Sequence, residues 1–188
     1  MATLDDPTQI PDPSEVSQWS TVQRYGLIGG LVFIIYGLIA NFLGWNQPGS
    51  SASMLNMVIS IALFVGLMVI AIRQHRDEEL AGFIPFGRAF GVGFFTGMIA
   101  TLISSIFQFI YVKFIDPGFI DRIKETTLET YEQMGMTEER IEQSMEMLDK
   151  MYTPGMMVFW AVIGAAVICA IVALIVAAVM KRNPPTEA

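Results

Sequence analysis

The chain has one histidine, His75, and an imidazole is a candidate for proton chemistry because its charge changes near neutral pH. His75 lies in a charged stretch, residues 73–79, with the sequence RQHRDEE. A catalytic base needs a nucleophile or a metal beside it, and no Ser/His/Asp set, phosphate-binding loop or metal-ligand spacing accompanies this one. We therefore interpret His75 as a solvated surface residue and expect the protein not to be an enzyme.

Sulfur-containing side chains are the next candidates for chemistry. The single cysteine, Cys169, lies in an apolar run, which excludes an intramolecular disulfide and a multi-cysteine metal site. Seven of the 13 methionines fall between residues 134 and 157. Thioethers suit Cu(I), but they also fill apolar interfaces, and no histidine or cysteine lies near these. The sequence predicts no metal and no cofactor.

A short row of polar residues interrupts an otherwise apolar stretch. Thr101, Ser104 and Gln108 recur at spacings of three and four, which places them on one helical face. Such a polar seam either forms hydrogen bonds between helices or lines a transport path. Ion and proton paths usually contain ionisable groups, and residues 89–112 contain none, so hydrogen bonding between helices is the favoured interpretation.

The elements that would position these residues are membrane-spanning helices. The 188-residue chain is 53% hydrophobic and 15% charged, with a mean hydropathy of +0.52. A helix needs about 20 apolar residues to cross the hydrocarbon core. The sequence therefore predicts an all-α membrane protein with four spans, at about residues 25–43, 54–72, 89–112 and 156–180. The net charge of −7 argues against nucleic acid as a partner.

The predicted organisation has three parts. Residues 1–24 form a polar, acidic tail that lacks the basic region of a signal peptide, and residues 183–188 form a C-terminal tail. Residues 25–182 form the membrane domain. Within it, the stretch 44–53 is rich in Gly, Pro, Asn and Ser, and it predicts a tight turn between the first two spans.

Basic residues near the span ends indicate the orientation, because short loops rich in Lys and Arg stay in the cytoplasm. One side carries six of them, whereas the turn at 44–53 carries none. The longer segment 113–155 carries five, among ten acidic residues. Because the short loops are the most informative, we expect both termini to be cytoplasmic. The six basic residues are Arg24, Arg73, Arg76, Arg88, Lys181 and Arg182.

Residues 116–152 predict an extracytoplasmic hairpin of two amphipathic helices. Asp116-Pro117 is a favourable helix start, Gly135 interrupts the pattern, and Thr137 can cap a second helix. Each apolar stripe could face the other helix, the tops of the spans, the membrane surface or another protein. Packing within the hairpin is the simplest interpretation. Membrane-surface docking is disfavoured because such helices are usually basic, whereas this segment is acidic.

Glycines four residues apart mark the third span, at Gly87 and Gly91 and again at Gly93 and Gly97. Small residues at this spacing let helix backbones approach closely in lipid. The pattern predicts helix packing, either within one chain or between two copies.

Several stretches resemble a known family: Gly82–Phe90 (GFIPFGRAF), Ser104–Phe107 and the segment from Tyr111 through Asp116-Pro117. The chain is similar to uncharacterised four-helix membrane proteins, found chiefly in the Bacteroidota and known only as a domain of unknown function. The resemblance covers most of residues 20–180. It implies four helices in a bacterial inner membrane and supplies no activity or site residues.

Taken together, the residues predict a non-enzymatic membrane protein, an accessory subunit or assembly component of a membrane complex. Its partners would be the lipid bilayer and either another membrane protein or further copies of the chain. The alternative is a small oligomeric transporter or channel, whose path would lie between protomers because four spans enclose little space.

Overall fold

The computed structural model describes residues 11–45 and 51–183, and the side chains of residues 154, 155, 157 and 158 lie outside that description. Over these ranges the chain is all-α apart from one isolated β-bridge. A single π-helical turn extends each of two helices: π1 (His75–Glu79) follows α2, and π2 (Tyr111–Ile115) follows α3. The α-helices are α1 (Trp19–Phe42), α2 (Ser53–Gln74), α3 (Phe86–Ile110), α4 (Phe119–Gln133), α5 (Glu138–Met151) and α6 (Pro154–Met180).

In the part of the chain that the structure describes, four helices are long and apolar enough to cross a membrane. They correspond to the four predicted spans, and the all-α class is confirmed. The helices begin earlier than the charge pattern suggested: α1 begins at Trp19 and α3 at Phe86. The reason is that charge marks where lipid ends, whereas helical hydrogen bonds continue into the aqueous layer. Residues 19–24, assigned above to the tail, are therefore helical. The start of the membrane domain at residue 25 stays a prediction.

The chain divides into two compact units, each assembled from separate stretches of sequence. Among the described residues, the first unit comprises residues 11–29, 62–100 and 167–183, and the second comprises residues 30–45, 51–61 and 101–166. The terminal residues 1–10 and 184–188, and residues 46–50 of the predicted turn, lie outside the described residues.

The core of the first unit is built from α2, α3 and α6. Met68 and Ile72 of α2, Val92 of α3, and Cys169 and Ala173 of α6 are all fully buried. Small side chains on α6 allow the larger ones of α2 to pack closely.

A loop in the first unit is tied to the end of α6. Ala81 and Gly82 both have positive φ angles, 51° and 88°, and they turn the chain after π1. Ile84 and Arg182 then form an antiparallel bridge, with N–H to O distances of 2.8 and 2.9 Å. The guanidinium carbon of Arg182 lies 5.6 Å from the centre of the Phe83 ring. Two backbone hydrogen bonds and a cation–π contact thus close this end of the unit.

The second unit contains the predicted hairpin, now seen as α4 and α5 joined at Gly135, whose φ is 68°. Lys124 of α4 pairs with Asp149 of α5, Nζ to Oδ1, at 2.5 Å. The predicted start at Asp116-Pro117 is wrong, because α4 begins at Phe119. The span before it runs through π2 to Ile115, and the Asp116 carboxylate pairs with Arg122 instead of capping the helix.

The second helix of the hairpin begins where it was predicted to begin. Thr137 is the N-cap residue of α5, with extended backbone angles, and Glu138 and Glu139 occupy the first turn. The Thr137 side chain makes no capping hydrogen bond. The acidic first turn, favourable at the positive end of the helix dipole, is the remaining local signal for this start.

Candidate functional site

The polar seam divides when it is placed in the structure. The Ser104 hydroxyl donates a hydrogen bond to the Thr101 carbonyl oxygen of the same helix, α3, at 3.0 Å. Serine hydroxyls within helices often donate to the backbone of the preceding turn in this way. Ser104 and Gln108 line an open-sided cavity of about 290 Å³ in the second unit, and Thr101 does not. The cavity is lined by Phe33, Ile34, Gly37, Leu38, Asn41, Ser104, Ser105, Phe107 and Gln108.

A second cavity adjoins the first along α3. Its volume is about 210 Å³, and Ser105 and Gln108 line it as well. Its other lining residues are apolar: Leu102, Ile106, Phe109, Ala161 and Val162. No Asp, Glu, Lys, Arg or His lines either cavity among the residues described. The described lining therefore combines uncharged amide and hydroxyl groups with apolar side chains.

The four glycines of the third span have different surroundings. A Cβ atom placed on Gly97 would lie 2.6 Å from Met68 Cε and 3.1 Å from Cys169 Sγ. At Gly93 it would lie 3.2 Å from Ile72 Cδ1. At Gly91 the neighbour is the Gln18 side chain, 3.0 Å away, and at Gly87 nothing described lies within 4 Å. The helix-packing role of the glycines stays a prediction. Of the four, Gly93 and Gly97 are the ones at which a Cβ atom would crowd buried core residues of the neighbouring helices.

The interpretation of His75 as solvated is wrong, because its side chain is fully buried in the first unit. Arg88 Nε donates to His75 Nε2 at 3.1 Å, and His75 Nδ1 lies 3.0 Å from Glu79 Oε2. This second contact has ion-pair distance but lacks hydrogen-bond geometry. Glu79 Oε1 accepts a hydrogen bond from the Thr21 hydroxyl. We call these four residues the His75 cluster: Thr21, His75, Glu79 and Arg88.

Sequence reasoning missed the His75 cluster because its members come from three distant parts of the chain. The one local signal is the spacing of four between His75 and Glu79, which permits a pair on one helical face. Arg88 of α3 contacts His75, Thr21 of α1 contacts Glu79, and no pattern within residues 73–79 indicates either contact. The charged run therefore looked like a solvated end of a span.

The hairpin of α4 and α5 has no fully buried residue. Most of its apolar positions are half-buried, as expected for two helices that pack on each other. Met134 and Met147, however, are 70% and 64% exposed, and Met151 is also exposed. We call these three exposed side chains the methionine patch, although Met134 lies at the turn between the helices and Met147 and Met151 lie one helical turn apart on α5. The hairpin thus satisfies part of its apolar surface internally and leaves these flexible apolar side chains uncovered.

Two ion pairs hold the hairpin and its base. The carboxylate of Asp149 raises the pKa of Lys124, chiefly through a direct hydrogen bond. Asp116 raises the pKa of Arg122 in the same way. Both pairs are exposed to solvent, so each contributes little to stability. Across the part of the chain that the structure describes, no three His, Cys, Asp or Glu side chains are grouped to hold a metal ion.

The family assignment follows from a match to one family model. Residues 24–182 match the family described as protein of unknown function, DUF4199. The match covers most of the chain, from the sixth residue of α1 to Arg182, the residue that bridges to Ile84. The chain belongs to this family, which confirms the resemblance to a family known only as a domain of unknown function. No curated protein and no solved structure matches the chain.

Proposed function

We propose that the protein is a non-enzymatic accessory or assembly component of a membrane complex, and that the hairpin of α4 and α5 binds its partner. The observation that carries this proposal is the methionine patch. Methionine side chains are flexible and polarisable, and they suit surfaces that adapt to a bound protein. A hairpin that served only to cover the bundle would leave charged and polar residues outermost.

The charge of the hairpin indicates what kind of surface it would bind. Residues 116–152 contain ten acidic and four basic residues. Long-range attraction would therefore steer a basic surface toward the hairpin. A second copy of the chain would bring acidic residues against acidic residues. We accordingly propose a different membrane protein, with Lys and Arg around an apolar contact, in preference to a homo-oligomer.

The proposed location is a bacterial inner membrane with both termini in the cytoplasm. Support comes from the basic residues of the short segments, Arg24, the group from Arg73 to Arg88, and the pair Lys181 and Arg182. In this orientation the hairpin is extracytoplasmic. Its partner surface would then lie on the outer face of the membrane.

The test replaces residues 119–152 with a short Gly/Ser linker in the full chain. The four spans should still insert, because each satisfies its own backbone hydrogen bonds. A complex seen with the wild-type chain on native gels should disappear, and its second component should be absent from the purified variant. Raising the salt concentration should weaken the wild-type complex, since the attraction is largely electrostatic.

A finer pair of variants separates the methionine patch from general effects. The double substitution Met134→Ser and Met147→Ser should weaken the complex, and Met54→Ser should not. Met54 is 72% exposed and lies outside the hairpin, so it controls for the loss of an exposed methionine. Recovery of the same complex by the linker variant would contradict the proposal and leave the hairpin as a cover for the bundle.

The alternative, a small oligomeric transporter or channel, has one favourable observation, the polar lining of the larger cavity by Asn41, Ser104 and Gln108. A path between protomers would need that lining to continue across the membrane. Thr101, the seam residue expected to continue it, lies outside the cavity lining. A purified oligomer in which the polar line is continuous, together with solute flux in vesicles, would favour this alternative.

A further inference from the structure

The two cavities of the second unit share two lining residues, Ser105 and Gln108, and we treat the pair of cavities as one candidate site. The larger one contains the polar groups and the smaller one is almost entirely apolar. Their volumes, about 290 and about 210 Å³, together reach the range of small-molecule sites, ~300–1,000 Å³. A molecule with a polar end and an apolar chain would fit this division.

The polar groups at the junction are available for a ligand. The Gln108 carboxamide and the Ser105 hydroxyl form no hydrogen bond with another residue that the structure describes. An unpaired amide in an apolar surrounding is costly, so it favours any bound group that can accept its N–H. The Gln108 amide and the Ser105 hydroxyl both donate, and a carbonyl oxygen accepts from either.

We propose that this site binds a neutral amphiphile, with carbonyl oxygens at its polar end beside Gln108 and Ser105 and its apolar chain along Ile106 and Phe109. The proposal concerns residues outside α4 and α5 and does not depend on the partner of the hairpin. Exposed apolar side chains flank the site, among them Ile39, Ile106 and Ile110. A molecule dissolved in the bilayer could enter past them without crossing water.

The depth of the site selects against charged molecules. Gln108 precedes Lys113 by five residues, or roughly 7–8 Å along a helix that rises 1.5 Å per residue. A charged headgroup at that depth would lose its water, and no described cation or anion lines the cavities to compensate. Ester and quinone carbonyls share the required chemistry, and both occur in lipid-soluble molecules.

One glycine makes room for the polar end. Gly37 lines the larger cavity, and a Cβ atom built on it meets nothing described within 4 Å. A leucine at this position has room for its Cβ atom, and we expect the rest of its side chain to fill part of the cavity. Gly66 offers a matched control: its Cβ direction is equally open, and it lines neither cavity.

The experiment uses the full chain in nanodiscs with a photoreactive diacylglycerol that carries its diazirine on an acyl chain. Saturable labelling should map to the segments 33–41 and 102–109, and excess dioctanoylglycerol should compete. In a parallel arm, decyl-benzoquinone replaces dioctanoylglycerol as the competitor. Comparing the two competitors distinguishes a quinone carbonyl from an ester carbonyl as the group that the site binds. Phosphatidylglycerol of the same chain length should compete at least fivefold less well.

The variants then assign the effect to the site. Gly37→Leu and Gln108→Leu should each lower saturable labelling at least fivefold, and Gly66→Leu should leave it unchanged. Thermal unfolding in detergent checks that each variant is folded. If Gln108→Leu does not fold, Gly37→Leu still tests the site. Equal labelling of all variants, labelling that does not saturate, or equal competition by phosphatidylglycerol would overturn the proposal.

Discussion

Arg88 Nε donates a hydrogen bond to His75 Nε2 over 3.1 Å, and this single contact determines where the imidazole proton lies. Because Nε2 accepts, the ring proton occupies Nδ1, which faces Glu79 Oε2 at 3.0 Å. The Thr21 hydroxyl completes the chain of contacts by donating to the other carboxylate oxygen of Glu79. The His75 cluster thus joins α1, π1 and α3 through polar contacts within the first unit.

Removing the imidazole should destabilise the protein. His75→Ala leaves Arg88 Nε without the buried nitrogen that accepts its hydrogen bond, which typically costs about 1–3 kcal/mol. Thermal unfolding in detergent should show a lower midpoint. Arg73→Gln changes an exposed residue two positions away and should unfold like the wild type. Equal midpoints for both variants would show that the cluster contributes nothing to stability.

Large side chains should be tolerated unequally along the third span. Gly97→Leu places atoms where Met68, Cys169 and Phe64 already pack, and Gly93→Leu crowds Ile72. Overfilled contacts of this kind cost about 1–3 kcal/mol. Gly87→Leu, with open space around it, is the control and should leave the unfolding midpoint unchanged. If Gly97→Leu also matches the wild type, the close approach of the helices has no energetic role.

The proposed orientation can be read by accessibility of introduced cysteines. Cysteine in place of Ser51 or Glu132, both exposed, should react with a membrane-impermeant maleimide in intact cells. Cysteine in place of Arg73 should react only after the inner membrane is permeabilised. The natural Cys169 is buried and should remain silent in each case. The opposite pattern would reverse the topology.

The ion pair between α4 and α5 should give the hairpin a pH dependence at alkaline pH. Asp149 raises the pKa of Lys124 above its ordinary value of 10.5, so the pair stabilises the hairpin fully below that pH. The contribution is lost as the pH rises through the raised pKa. Spin labels in place of Glu125 and Glu146 should report a narrow distance distribution from pH 7 to 9 and a broader one above about 10.5.

The control for that measurement is Lys124→Gln, which removes the ammonium group. Its distance distribution should be broad throughout the same pH range. Because the pair is exposed, the difference should be small and should shrink in high salt. Identical distributions in the variant and the wild type would show that apolar packing alone holds α4 against α5.

The membrane helices could be predicted because lipid imposes a simple rule. Each span must satisfy its backbone internally, so about 20 apolar residues without charge indicate a helix. The start of α5 after Thr137 was equally readable, since the acidic first turn is a local signal. Asp116 offered a local N-cap signal, yet its carboxylate pairs with Arg122 and the helix starts at Phe119. The ion pair with Arg122, six residues further on, takes the Asp116 carboxylate that was expected to cap the helix.

Long-range contacts are the part that the sequence could not reveal. The His75 cluster takes Thr21 from α1 and Arg88 from α3, and nothing in the neighbouring sequence distinguishes His75 from a solvated histidine. The cavity likewise combines Gly37 of α1 with Gln108 of α3. The helical spacing of Thr101, Ser104 and Gln108 predicted one polar face, and of these three residues Ser104 and Gln108 line the cavity. Which of its members line the cavity depends on the neighbouring helix.

The bridge between Ile84 and Arg182 has a consequence for biosynthesis. The ribosome makes these residues about a hundred positions apart, so at ~5–20 residues per second Ile84 waits some 5–20 s for its partner. During that interval the backbone N–H and C=O of Ile84 lack their partner Arg182. By the end of it, the first three spans are already in the translocon or the bilayer. The loop after π1 is therefore fixed only when the end of α6 has been made. A nascent chain arrested before residue 182 would leave the backbone groups of Ile84 unpaired and the loop accessible to quality-control proteases.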